Sequence, residues 1–124
     1  MKKPIDQHSD EGKNEYFSDG ALSGEGSFRD GARHGPWIFY FHSGKLKAKG
    51  EYINGQLDGH WEWLRENGQS LQSGAFANGK QVGMWRRYYD TGQLWDEGRY
   101  EDGEKVGEWL VYDKSGALKQ RKKR

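Results

Sequence analysis

Four histidines are the residues of this chain best suited to ligating a metal ion: His8, His34, His42 and His60. Imidazole nitrogen is a common zinc ligand, and Asp58 lies close to His60 in sequence. No two of the histidines have the spacing of a zinc motif, however, and the chain has no cysteine. The sequence therefore predicts solvated histidines in turns, no metal site and no cofactor.

Acidic residues are grouped in two places, Asp96 beside Glu97 and then Glu101, Asp102 and Glu104. Paired carboxylates perform acid–base catalysis when a cleft holds both and shifts their pKa values apart. These residues fall in turns and at polar strand positions, and the sequence indicates no pocket around them. We therefore expect a solvated acidic surface and no catalytic residue.

Two other catalytic motifs are tested by their spacing. The run Gly79-Lys80-Gln81 lacks the spacing of a phosphate-binding loop, and no helical pattern follows it. A Gly-x-Ser-x-Gly nucleophile motif is absent from the sequence. The sequence thus predicts a protein that is not an enzyme and has no small-molecule substrate.

Five of the last six residues are basic: Lys119, Arg121, Lys122, Lys123 and Arg124. Such a cluster attracts nucleic acid and anionic lipid. Removing these five charges from a net charge of +1 leaves the rest of the chain at −4, which argues against a nucleic-acid-binding surface. We expect a solubilising basic tail over residues 119–124, with weak contact to an anionic membrane as the alternative.

The composition has to be reconciled with a folded protein, since 32% of residues are hydrophobic and the mean hydropathy is −1.19. Such values are typical of disordered chains. A net charge near zero opposes disorder, and so do the aromatic residues (six Trp, seven Tyr and five Phe), which supply buried bulk. At 124 residues the chain is long enough for one small domain with a thin, aromatic core.

Targeting signals are not evident in the sequence. The first six residues lack the apolar stretch of a signal peptide, and no apolar run approaches the roughly 18 residues of a membrane helix. We therefore expect a cytoplasmic protein.

A fixed period of 24 residues organises the chain, because Trp37, Trp61, Trp85 and Trp109 recur at that interval, each as the third residue of a Gly-x-Trp triplet. Glycine follows the same period in four columns, which hold 17 of the 19 glycines. The glycine columns begin at Gly20, Gly26, Gly31 and Gly35. A period of this length indicates a repeat architecture.

Each repeat reads as strand, turn, strand, turn. The run from Trp37 to Phe41 is aromatic and β-branched, residues 42–45 form a turn signal, and Leu46 to Tyr52 reads as a second strand. Asn54-Gly55 is a strong hairpin signal, since both residues tolerate positive φ. The short loops predict an all-β fold: a single open antiparallel meander of about nine strands.

The twofold alternation of a strand places side chains on its two faces. It predicts that Leu46, Ala48, Gly50 and Tyr52 share one face. Glycine inside a strand leaves room for a neighbouring ring, so we expect each Trp to lie over the bare backbone of a strand glycine.

The period also sets the domain boundaries. Residues 1–11 are expected to be a disordered N-terminal segment, and residues 12–118 the repeat domain. Its units are expected at residues 12–34, 35–58, 59–82 and 83–106, followed by a half-unit at 107–118 and the basic tail. Atypical terminal units are normal in repeat arrays, because each end faces solvent.

The pattern resembles the MORN-repeat variant family. Gly35, Trp37, Tyr40, Gly44, Leu46, Gly50, Tyr52 and Gly55 carry it in full, and the similarity covers roughly residues 12–118. The family includes bacterial antitoxin-like or immunity-like proteins (YwqK-like), and related MORN repeats serve as scaffolding and contact modules. The resemblance implies an open β-meander and a protein-binding role, and it supplies no catalytic residues.

Functional residues are sought among the departures from the repeat, because the regular columns serve the scaffold. Large apolar residues outside those columns are Trp63, Trp95, Leu71, Phe41 and Tyr89. Aromatic residues of this kind are enriched at the centre of protein interfaces. We predict that these five residues bind a partner; the alternative is that Trp95 and Leu71 pack together across the sheet.

The sequence thus predicts a non-enzymatic protein-binding module. Its most concrete form is an antitoxin or immunity-type protein that neutralises a toxin by binding it. The alternative is a structural or assembly scaffold, associated with membranes through the basic tail. We expect a monomer or a dimer formed through the exposed edge strands.

Overall fold

The computed structural model describes residues 11–124 as ten β-strands in one antiparallel sheet, ordered in space as they are in sequence. The strands are β1 Glu11–Tyr16, β2 Leu22–Arg29, β3 Ala32–Tyr40, β4 Leu46–Ile53, β5 Gln56–Leu64, β6 Ser70–Ala77, β7 Lys80–Tyr88, β8 Leu94–Glu101, β9 Glu104–Tyr112 and β10 Leu118–Lys123. The predicted open meander is confirmed, with ten strands rather than nine.

Two kinds of turn alternate along the sheet, as the glycine columns indicate. Asn54 and Gly55 both have positive φ, 48° and 85°, which is the backbone of the tight two-residue hairpin turn. At the other end of the sheet the turn closes through a glycine: the Gly44 N–H donates to the Phe41 carbonyl over 2.8 Å. Each turn reverses the chain without a crossover, so neighbours in sequence are neighbours in the sheet.

Each Trp of the 24-residue column lies flat on a strand glycine, as the sequence predicts. A Cβ atom added to Gly50 would sit 2.1 Å from the Cδ2 atom of Trp61, so no other residue fits there. The Trp61 indole N–H donates to the Glu51 carbonyl over 3.0 Å. The same contact joins Trp37 to Gly26, Trp85 to Gly74 and Trp109 to Gly98. Each indole N–H again donates to the carbonyl of the residue after the glycine, which is Ser27, Ala75 or Arg99. This Trp–Gly contact couples one strand pair to the next.

The core of the molecule lies on one face of the sheet, called here the Trp face. The residues that define it are Phe28, Trp37, Phe39, Tyr52, Trp61, Trp63, Phe76, Trp85, Tyr100 and Trp109. The four column Trp residues are only 0–4% exposed, although a single sheet has solvent on both sides. Neighbouring rings cover them: the Tyr52 ring, for example, meets the Trp61 ring edge to face at 5.2 Å. Aromatic bulk therefore replaces a second layer.

The other face, called here the charged face, carries cross-strand ion pairs. Its defining pairs are Lys49–Glu62, Arg86–Glu97 and Arg121–Glu108. In register Lys49 lies directly opposite Glu62 and Arg86 directly opposite Glu97, whereas Arg121 lies opposite Leu110 and pairs with Glu108 diagonally. The aromatic core thus lies on one face of the sheet, and these ion pairs lie on the other.

A β-bulge near the start of β4 corrects the predicted alternation. Leu46 pairs with Tyr40, and the next pair joins Ala48 to Phe39, so Lys47 is the extra residue. Leu46 therefore lies on the charged face with Tyr40, and only Ala48, Gly50 and Tyr52 share the Trp face. The extra residue shifts the alternation by one, which a strict period of two cannot indicate.

The basic segment 119–124 is not a free tail. Most of it belongs to β10, which pairs with β9, and the Arg124 N–H donates to the Gly107 carbonyl over 2.8 Å. The prediction of a tail rested on charge alone and overlooked that the segment continues the strand register of the repeat. Of the predicted N-terminal segment, residues 1–10 lie outside the described residues, and Glu11 already belongs to β1.

The outer strands of the described sheet lack the Trp–Gly contact. Lys13 occupies the Trp column in β1, and Lys122 occupies the strand-glycine column in β10. Lysine on an edge strand opposes the pairing of further strands. These two positions therefore protect the edges of the sheet.

Candidate functional site

An uninterrupted stack of rings forms the centre of the Trp face. Trp37, Phe39, Trp61, Trp63 and Trp85 follow one another with ring centroids 5.6, 6.3, 5.7 and 5.8 Å apart. The planes of successive rings are inclined by only 23–32°. The sequence-predicted Trp63 is thus a half-buried member of this stack and contributes to its packing.

Trp95 and Tyr89 form a second, smaller cluster near the turn between β7 and β8. Their rings stack at 5.3 Å with an inclination of 20°. The Tyr89 hydroxyl donates to the Tyr112 carbonyl over 2.6 Å, and the Arg87 guanidinium lies 4.0 Å from the centre of the Trp95 ring. Trp95 and Asp96 together oppose Arg87 in the bulge of β8, which turns Trp95 toward the Trp face.

Leu71 and Phe41 lie at the same end of the Trp face but in other units. Leu71 is the extra residue of the bulge in β6, beside Gln72 and opposite Trp63, and it is 37% exposed. The Phe41 ring lies 5.9 Å from the Lys47 ammonium. The five predicted partner-binding residues therefore occupy one face but do not form one cluster.

A polar cavity of about 200 Å³ interrupts the aromatic surface above β6 to β9. Its lining residues are Gln72, Gln81, Trp85, Arg87, Asp96, Tyr100, Lys105 and Trp109. Asp96 is only 5% exposed, and its two carboxylate oxygens accept hydrogen bonds from Arg87 Nε at 3.0 Å and Nη2 at 2.7 Å. These hydrogen bonds raise the pKa of Arg87 above its ordinary value, against the effect of partial burial.

Lys105 supplies a positive charge to the cavity that no carboxylate balances directly. Its ammonium lies 4.6 Å from the centre of the Trp109 ring, and none of residues 11–124 forms an ion pair with it. Partial burial lowers the pKa of Lys105; the cations of Arg124, Arg87 and Lys122 lower it further, against the carboxylate of Asp96. The cavity is therefore electropositive.

The expectation of carboxylates without a pocket is wrong for Asp96. Asp96 lines the cavity on the Trp face, whereas Glu97 lies on the charged face, where it accepts a hydrogen bond from Arg86 Nε over 2.9 Å. The two acids therefore do not form a catalytic pair. Each has a basic partner directly opposite on β7.

The cavity could have been found by comparing three columns of the repeat. From Gly35 onward, Phe39 and Trp63 give way to Arg87, Ala48 gives way to Gln72 and Asp96, and Leu57 gives way to Gln81 and Lys105. Sequence reasoning followed only the gain of aromatic residues and missed this concerted change to polar ones. The sequence contained this signal, because all three columns become polar between residues 72 and 105.

The histidines lie apart on separate turns and strands. His34 Nδ1 accepts a hydrogen bond from the Asn54 N–H over 3.1 Å, His42 pairs with Asp19, and His60 lies 3.5 Å from Glu62. Hydrogen bonds from the Ala21 N–H and from His42 lower the pKa of Asp19. His8 lies outside the described residues, and residues 11–124 hold no group of three potential metal ligands.

The basic residues of β10 are distributed over both faces. Lys122 lies opposite Trp109 on the Trp face, and Arg121 Nη1 donates to Glu108 over 2.9 Å on the charged face. Lys119 and Lys123 are the other basic residues of β10, and Arg124 follows the strand. Residues 11–124 contain no helix long and apolar enough to cross a membrane.

Comparison with known proteins agrees with this architecture. The family model of the MORN repeat variant matches residues 33–54 and 81–102, which are β3 with β4 and β7 with β8. The intervening pair, β5 with β6, joins Leu64 to Ser70 where the matched pairs join a tyrosine to a leucine. The chain is thus an all-β repeat protein that carries MORN-variant repeats.

No curated protein matches the chain. Among solved structures it is similar to a chain of "Crystal structure of GtfA/B complex bound to UDP and GlcNAc", with 18% identity and a TM-score of 0.40. The similarity covers 73% of this chain and 22% of the other, so this chain spans about a fifth of that protein's length.

Proposed function

We propose that this protein is a non-enzymatic binding module whose Trp face recognises a protein partner. The observation that carries the proposal is the contrast between the two faces. Charged side chains of the charged face form cross-strand ion pairs, whereas the Trp face presents half-buried rings around an electropositive cavity. A central aromatic surface with polar groups at its margin is the usual composition of a protein interface.

The finer proposal is an antitoxin or immunity-type protein that neutralises a toxin by occluding it. Its support is the similarity to the MORN-repeat variant family together with a continuous, preformed surface. Ten strands in one continuous sheet offer a rigid face, so binding requires little ordering of the chain. A rigid aromatic surface of this kind suits steric blocking of a partner.

The test uses two exposed apolar residues on opposite faces. Leu71 on the Trp face is 37% exposed and Met84 on the charged face is 41% exposed, so aspartate at either position faces water. The chain is co-expressed with the product of the neighbouring gene, as the wild type, as Leu71→Asp or as Met84→Asp. We expect a complex and rescue of growth with the wild type and Met84→Asp, and neither with Leu71→Asp.

The opposite results overturn the proposal. If no form of the chain binds the neighbouring product or rescues growth, the antitoxin proposal is wrong. If Met84→Asp abolishes the complex and Leu71→Asp does not, the binding surface is the charged face. Far-UV circular dichroism of both variants checks that each is folded.

A membrane-associated scaffold is the second candidate, and the basic strand β10 is the observation that favours it. Deleting residues 119–124 would uncover the edge of β9, so substitutions make the cleaner test. We compare the wild type with the triple variant Lys119→Gln, Lys122→Gln and Lys123→Gln, which keeps the Arg121–Glu108 pair. Co-sedimentation with anionic vesicles that falls in the triple variant supports this function, and equal co-sedimentation excludes β10 as the membrane contact.

A further inference from the structure

We propose that the polar cavity of the Trp face receives the carboxylate of an aspartate or glutamate side chain of the protein partner. This inference rests on the proposed function and names the chemistry that the partner must supply. The cavity would then anchor the interface beside the aromatic stack.

The charge of the cavity favours a carboxylate. Asp96 is the one acidic residue of its lining, and Arg87 already engages both of its oxygens. Lys105 adds an unpaired ammonium, and Lys122 faces the same side from β10, directly opposite Trp109. This excess of positive charge would repel a cation and attract a carboxylate.

The cavity is lined by hydrogen-bond donors with unused capacity, and one of them, Arg87, is fixed in place. Arg87 is held between the Asp96 carboxylate and the Trp95 ring, which leaves its Nη1 without a hydrogen-bond partner among the described residues. Gln72 and Gln81 also line the cavity, and their amide groups form no side-chain hydrogen bond within residues 11–124. Hydrogen bonds from charged donors to a carboxylate are roughly twice as strong as neutral ones.

The size of the cavity selects a side chain over a larger ligand. Its volume of about 200 Å³ lies below the roughly 300–1,000 Å³ of ordinary small-molecule sites. Trp85, Tyr100 and Trp109 form apolar walls that suit the methylene groups of an acidic side chain. A partner residue that enters a desolvated pocket in this way is a typical interface anchor.

The experiment measures the binding of two capped peptides, Ac-Phe-Glu-Phe-NH2 and Ac-Phe-Gln-Phe-NH2, which differ only in the charge of the central side chain. Binding is followed by NMR through the indole N–H signals of Trp85 and Trp109. We expect the glutamate peptide to bind about tenfold more tightly, which corresponds to one charge-assisted hydrogen bond. In Lys105→Gln the ratio of the two affinities should fall nearly to one, whereas in Lys80→Gln it should remain about ten.

Several results would overturn the inference. Equal binding of the two peptides, no binding of either at millimolar concentration, or an unchanged preference in Lys105→Gln would each do so. Inorganic phosphate that displaces the glutamate peptide at equal concentration would indicate a general anion site instead. The proposed function is tested separately by Leu71→Asp and Met84→Asp, so it can survive the loss of this inference.

Discussion

The Trp–Gly contact makes a sharp prediction about stability: Gly74→Ala should destabilise the protein by about 3–4 kcal/mol. The new methyl group would lie 2.1 Å from Trp85 Cδ2 and 2.2 Å from Cε2, whereas carbon atoms in contact are separated by about 3.5–4.0 Å. The indole cannot tilt away freely, because the Phe76 and Tyr100 rings meet it edge to face at 5.2 and 5.8 Å.

The magnitude combines two costs. Overpacking of a well-filled core costs about 1–3 kcal/mol. If the Trp85 ring moves, its N–H leaves the Ala75 carbonyl, now 3.1 Å away, and a buried donor without a partner costs about 1–3 kcal/mol. Because the ring and the backbone share the displacement, we expect neither cost to reach its upper limit, and the two together to give about 3–4 kcal/mol.

The assay is guanidinium unfolding followed by far-UV circular dichroism. Gly12→Ala is the matched control, since its new methyl group would meet no atom within 4 Å; we expect a change of at most about 0.5 kcal/mol. In a Trp85→Ala background, Gly74→Ala should cost under about 1 kcal/mol, because the clash is gone. Equal stability of Gly74→Ala and the wild type, or an equal cost in both backgrounds, would show that the Trp85–Gly74 contact does not exclude a side chain at position 74.

Three further outcomes follow from the packing and charge of the Trp face. Trp63→Ala should lower the free energy of unfolding by about 2–3 kcal/mol, because a half-buried ring leaves the stack, whereas Trp95→Ala should lower it by only about 1 kcal/mol; equal losses in denaturant unfolding would contradict this difference. Lys122→Gln should raise the pKa of Lys105 toward its ordinary value, since one cation that lowers it is removed; NMR titration of the side chain checks the direction. The lowered pKa means that the unfolded state binds more protons just below the lysine range, so stability should rise with pH there, and less steeply in Lys122→Gln.

The regular part of the fold was predictable because each repeat column has one physical reason. Glycine at position 50 leaves the space that Trp61 fills, and Asn54-Gly55 supplies the positive φ values of the hairpin turn. These local requirements recur in every unit, so the period alone indicates the strands, the turns and the open sheet.

Features that depend on one extra residue or on several columns at once were not predictable in this way. The bulge at Lys47 moves Leu46 to the other face, and no local preference in the sequence indicates this bulge. The cavity is lined by Arg87, Asp96 and Lys105, which come from three different strands. Each of these changes to a polar residue is too small to indicate a cavity by itself. Strand β10 was not predicted because residues 119–124 were interpreted from their positive charge and not from their position in the 24-residue repeat.

We propose that the Trp face, and not the charged face, binds the partner. The most direct measurement places a photo-crosslinking amino acid at position 71 or at position 84, in cells that also produce the neighbouring gene's product. If the Trp face binds the partner, position 71 gives one adduct, with the mass of chain plus partner, and position 84 gives none. An adduct from position 84 alone, equal adducts from both positions, or none from either would contradict it.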